Sequence, residues 1–168
     1  MTERPSYADI IAIGALSVWI GVAVFIAAVL APAAFAVLPT RALAGAIVGE
    51  VLPVLFIGGI VVGGVVAAVW ARRTRAAAIG GFLLLAGSAR ALTIEHRLHA
   101  LLVSLGAPID SIATSDPRRI AFGRMHGLSV LFMGVGLVGA CIAVVVLMRR
   151  VRADGGSSAT SLSYPPAP

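Results

Sequence analysis

The chain has 168 residues, of which 60% are hydrophobic and 12% charged, and its mean hydropathy is +1.04. Soluble domains carry about half apolar and about a quarter charged residues, so this composition excludes an ordinary soluble globular protein and leaves room for one membrane bundle with a short tail. The net charge of +6 comes from 13 arginines and no lysine; these fall at the ends of apolar runs rather than among aromatics on a polar face, which excludes nucleic acid as a partner and marks them as topology determinants.

Four apolar runs, at about residues 8–30, 43–71, 76–96 and 120–148, each reach the roughly 20 residues that cross about 30 Å of hydrocarbon. Barrel strands need only about ten alternating residues. The fold class is therefore all-α, a polytopic membrane four-helix bundle over residues 1–152. In the first run Ala34-Phe35-Ala36 resembles a signal-cleavage site. The apolar stretch before it exceeds the usual core of about 7–15 residues, and Glu3 and Asp9 flank Arg4, so the helix is expected to stay. Pro32 and Pro39 are expected to end it, and Pro53 to kink the second helix from within. No proline interrupts the third helix from Ala76 to Ala107, so it is expected to continue past the membrane, with His96, Arg97 and His99 emerging. Residues 106–117, with their Pro, Asp, Ser and Thr, read as the loop before the fourth helix. Residues 153–168 are rich in Gly, Ser and Pro and read as a disordered cytoplasmic tail.

Arg4, the Arg72-Arg73-Arg75 cluster and the Arg149-Arg150-Arg152 cluster fall on one side of a four-span chain. The other side holds Arg41, Arg118 and Arg119, diluted by Asp110 and Asp116. The positive-inside rule then assigns both termini of a multi-pass cell-membrane protein to the cytoplasm. Small residues recur four apart in Gly45-x-x-x-Gly49, Gly59-x-x-x-Gly63, Gly123-x-x-x-Gly127 and Gly136-x-x-x-Ala140, a spacing that lets helices approach closely in lipid. The lone Cys141 permits no intrachain disulfide and reads as a small core residue.

Against this apolar background Glu50, Arg90, Glu95, Arg124 and His126 stand out, because charge in hydrocarbon is costly and marks function or an obligatory internal pair. At about 1.5 Å per residue they gather in one layer toward the outer face. Mutual neutralisation predicts Glu50 and Glu95 facing Arg90 and Arg124. His126 and Ser129 share a helix face, which predicts a hydrogen bond between them. On the third helix Ser88, Leu92, Glu95 and His99 form one face and Arg90, Thr93 and Arg97 another. His96, His99 and His126 are the candidate metal or haem ligands, although His96-x-x-His99 matches no established zinc spacing. No G-x-S-x-G elbow surrounds Ser129 and no aspartate accompanies it on its helix, so no catalytic residue and no cofactor are assigned.

Two separated segments carry a family resemblance. Trp19-Ile20-Gly21, Phe25, Val29-x-Ala31-Pro32-x-x-Phe35 and Ala44-Gly45 resemble the opening signature of the transmembrane protein 205-like family, whose bacterial members are described as an integral membrane domain of unknown function. Phe122-Gly123-Arg124-Met125-His126-Gly127-Leu128-Ser129 resembles its F-x-x-L-H-x-x-S motif, with Met125 in place of Leu and Phe132 or Met133 where Asn is often found. The resemblance runs over most of residues 12–148 and implies a small integral membrane protein without supplying a mechanism. Three functional readings stand open. The polar layer binds or transports a small solute or ion; or His126 with His99 or His96 serves a metal- or haem-linked redox protein; or the bundle is a structural partner, as a homo-oligomer or with another membrane protein.

Overall fold

The computed structural model describes the backbone of residues 7–161 and the side chains of residues 7–153. Four long helices run up and down: α1 (Tyr7–Val37), α2 (Arg41–Trp70), α3 (Arg75–Leu105) and α4 (Pro117–Ser161). Each is long and apolar enough to cross a membrane. Helices α1, α3 and α4 contain their expected spans and exceed them, and α2 covers its own to within one residue; its 30 residues make about 45 Å of helix against about 30 Å of hydrocarbon. Helix α4 runs through Ala153 to Ser161, into the segment read from sequence as a tail, and residues 162–168 of that tail lie outside the described residues.

The boundaries follow from local chemistry. Pro32 does not end α1 as expected. The helix widens into a π turn at Ile26–Leu30, where the Ala31 N–H donates to the Ile26 carbonyl five residues back. That extra residue re-registers the carbonyls behind the pyrrolidine ring, which would otherwise clash with the one four residues earlier. Pro39 does act as a stop, holding Leu38 in the extended conformation that a residue before proline prefers. Thr40 then caps α2, its Oγ1 accepting the Leu43 N–H at 3.2 Å. Pro53 lies inside α2, which continues through it. Gly106, at φ +60°, closes α3 in the left-handed region open to glycine.

Helix α3 packs extensively on both α2 and α4, while α1 lies less extensively against α4 and α2. Backbone meets backbone at the α3 seams. A Cβ on Gly80 would stand 2.6 Å from the Gly139 carbonyl oxygen, one on Gly87 2.6 Å from that of Phe132, and one on Gly63 2.7 Å from that of Gly81. Of the four small-residue motifs, Gly59-x-x-x-Gly63 and Gly136-x-x-x-Ala140 therefore lie in seams. Gly45, Gly49, Gly123 and Gly127 face open space.

Helix α1 buries Asp9, Ala12, Leu16, Trp19, Ala23 and Ile26, a run of three- and four-residue steps that is one helical face. Leu16, Phe56, Val66, Leu84 and Leu147 fill the centre. The Trp19 indole fits against Gly58 and Gly59 and donates from Nε1 to the Leu55 carbonyl at 2.9 Å. Outside, Val18, Val54, Val61, Val65, Phe82, Leu131 and Val138 are all exposed. So much exposed apolar surface is a liability in water and ordinary in lipid. Cys141 belongs to that exposed surface and not, as expected, to the core.

Candidate functional site

The helices divide the predicted polar layer. Ser129, only 3% exposed, faces α3 and donates from Oγ to Oε1 of half-buried Glu95 at 2.7 Å. This is the one side-chain bond that joins two residues of the layer among the described residues. The expected bond from His126 to Ser129 is not formed. Three residues along a helix is a rotation of about 60° from alignment, enough to turn His126 onto the exposed edge while Ser129 points inward. There its ring stacks on Phe122 one turn earlier, centroids 6.2 Å apart and planes within 1°.

The expected neutralisation of Glu50 and Glu95 by Arg90 and Arg124 is also not formed. Both ion pairs among the described residues lie elsewhere. Glu50 is exposed because it stands nine residues, or about 180°, from Gly59 on the buried face of α2. Arg90 is exposed on α3 with its guanidinium carbon 5.7 Å from the Phe132 ring centroid, a cation–π contact with α4. Arg97 and Arg124 are exposed too. His96 and His99 are likewise exposed, and among the described residues no three His, Cys, Asp or Glu side chains are grouped to hold a metal ion.

A second polar centre, which the sequence reading did not single out, ties the opposite end. Asp9 is 2% exposed and accepts the Trp70 Nε1–H at Oδ1, 2.7 Å away. Its Oδ2 lies 3.8 Å from Arg150 Nε, and Arg150 donates from Nη1 to Thr74 Oγ1 at 2.7 Å and to the Arg73 carbonyl at 3.4 Å. One carboxylate thus links α1, the end of α2, the following turn and α4. The signal available in sequence was the position of Asp9 on the same three-and-four-spaced face as Ala12, Leu16 and Trp19. In the loop at the other end, Asp116 accepts the backbone N–H and the guanidinium of Arg118. These bonds, the side-chain one foremost, hold its carboxyl below the ordinary carboxylate value.

The interior between the two centres is filled mainly with apolar side chains, with Ser88 buried among them, and two surface grooves are apolar in lining. One runs between α1 and α2 along Val18, Trp19, Val22, Val54 and Gly58, and the other between α3 and α4 along Leu83, Leu131, Gly134, Val135 and Val138.

Four long apolar helices, an apolar exterior and close glycine seams are the make-up of a multi-pass integral membrane bundle. The chain belongs to the family described as Domain of unknown function (DUF4149), whose model matches residues 14–107, more than half of its length. No curated protein and no solved structure matches it. The matched segment contains Glu50, Trp70, Arg90 and Glu95 and stops before α4, so Ser129, Arg150 and the Phe122–Ser129 motif lie beyond it, as Asp9 lies before it.

Proposed function

We propose that the chain is a membrane-embedded binding protein whose polar layer, toward the end that carries the 106–116 loop, receives an anionic ligand. One observation carries this reading. The cations of the layer, Arg90 and Arg124, and Arg97 two turns beyond Arg90 are not neutralised by its carboxylates: Glu95 accepts from Ser129, while the three arginines are exposed and take part in neither ion pair among the described residues. Arginines in or near hydrocarbon are costly without a counter-charge, which favours an anion from outside the chain.

The test is thermal unfolding of the purified full chain with inorganic phosphate or phosphatidylglycerol added, for the wild type and for Arg97→Gln/Arg124→Gln. Stabilisation of the wild type by at least one of these anions, lost in the variant, is expected. Loss of stability in the variant before any anion is added, or no anion effect on the wild type, overturns the reading.

A second reading, as an assembly partner, is favoured by Glu50, which crowns an exposed apolar stripe of Val54, Ile57, Val61 and Val65 on α2. A neighbouring copy or another membrane protein would cover that stripe and its carboxylate. The metal- or haem-linked reading draws no support from the separate, exposed His96, His99 and His126. The narrower affiliation with the transmembrane protein 205-like family rests on the motifs quoted above. Assignment of both termini to the cytoplasmic side of the cell membrane rests on the arginine distribution.

A further inference from the structure

The groove beside α3 and α4 and three exposed arginines share the same helix edges. Leu83 lines the groove from α3, and Arg90 and Arg97 follow it at seven-residue intervals. Val138 and Leu131 line it from α4, and Arg124 follows them at the same interval. Seven residues are two helical turns to within about 20°, so each series climbs one edge of its helix. All three arginines are exposed, and the contact of Arg90 with Phe132 fixes the α3 series at the α4 seam. The Glu95–Ser129 bond sets the register of the two antiparallel helices. It brings Arg97 level with a point about three residues, or roughly 5 Å, from Arg124. Glu95 itself lies about 140° round α3 from Arg90 and is turned to the bundle side, so no carboxylate of the layer shares this edge.

We propose that this surface is a binding site for one anionic phospholipid, with its phosphate between Arg97 and Arg124, Arg90 beneath it on Phe132, and an acyl chain along Leu83, Leu131, Gly134 and Val138. The inference rests on the anion-binding reading above and names the anion. Length supports a lipid rather than a free anion. From Leu83 to Arg97 is about 21 Å along the helix, which equals half of the 40–45 Å that a bilayer measures with its headgroups. Exposed arginines at the head of an apolar groove match, in order, the anionic headgroup and the acyl chain of such a lipid.

The experiment is native mass spectrometry of the full chain, titrated with phosphatidylglycerol, with phosphatidylcholine of the same acyl chains, and with inorganic phosphate. Phosphatidylglycerol is expected to bind most tightly. With each arginine near an acidic lipid worth about fivefold in affinity, Arg97→Gln/Arg124→Gln should weaken its binding about 25-fold. Gly134 has open space around it, so Gly134→Phe should fill the groove without disturbing the fold and lower phosphatidylglycerol binding. Gly14→Phe, at an equally open position on α1, should leave binding unchanged. Equal binding of the two lipids, or phosphatidylglycerol binding indifferent to Gly134→Phe, overturns the lipid site. If inorganic phosphate then still binds in an arginine-dependent way, the lipid inference falls and the anion-binding reading stands; if neither phosphate nor phosphatidylglycerol depends on the arginines, both fall.

Discussion

The indole Nε1 of Trp70 donates to Oδ1 of Asp9 at 2.7 Å, joining the end of α2 to the start of α1 across 61 residues of chain. Since Asp9 is otherwise 3.8 Å from Arg150, the indole is its shortest polar contact in this centre. Trp70→Phe keeps the ring and removes the donor, and should cost about 1–3 kcal/mol of stability, the penalty of an unsatisfied buried acceptor. Asp9→Asn in the same background should cost less than in the wild type, because the partner is already gone. Denaturation in detergent measures both. Equal cost of Asp9→Asn in the two backgrounds would contradict the coupling.

The glycine seams predict opposite effects for one chemical change. Gly80→Ala drives a methyl against the Gly139 carbonyl and should destabilise by about 1–3 kcal/mol, as overpacking does. Gly127→Ala meets open space and should be neutral or gain up to about 1 kcal/mol from the stiffer backbone. Melting temperatures in the reverse order would mean that α3 and α4 do not meet at Gly80.

For the polar layer the expected costs are small and local. Ser129→Ala should lose about 0.6 kcal/mol and at most about 1.7, the range of polar contacts between helices in lipid. Glu95→Gln retains a carbonyl acceptor for Ser129 and should lose less. Glu50→Gln, at an exposed position with no ion pair among the described residues, should change stability by less than about 0.5 kcal/mol. A loss of several kcal/mol at Glu50 would restore the internal pairing that composition alone suggested.

The up-and-down course of the helices puts the turn at residues 71–74 and the end of α4 on one side, and the 106–116 loop on the other. Reporter fusions after Arg75 and Arg152 should therefore agree with one another and disagree with a fusion at Asp110. The arginine asymmetry further expects the first two to read cytoplasmic. A cytoplasmic signal at Asp110 would reverse the orientation and leave the bundle intact.

The number, type and order of the helices were legible in the sequence, because a span is a property of some twenty consecutive residues and needs no knowledge of its neighbours. The edge occupied by Arg90 and Arg97 was legible too, from helical period alone. Position along each helix was read from the fixed rise per residue, and it drew Glu50, Glu95, Arg124 and His126 into one expected layer. What depth does not contain is azimuth. Only the packing of α2, α3 and α4 decided that Glu50 turns outward, that Ser129 meets Glu95 and not His126, and that Arg90 lies over Phe132. The same holds for Asp9: its position was plain, but its partners Trp70 and Arg150 lie far along the chain, and only the closed bundle brings them within bonding distance. Local periodicity fixes which faces a helix has, while the choice of neighbour for each face depends on close backbone approach at Gly63, Gly80 and Gly87, contacts between segments that no single window of sequence holds.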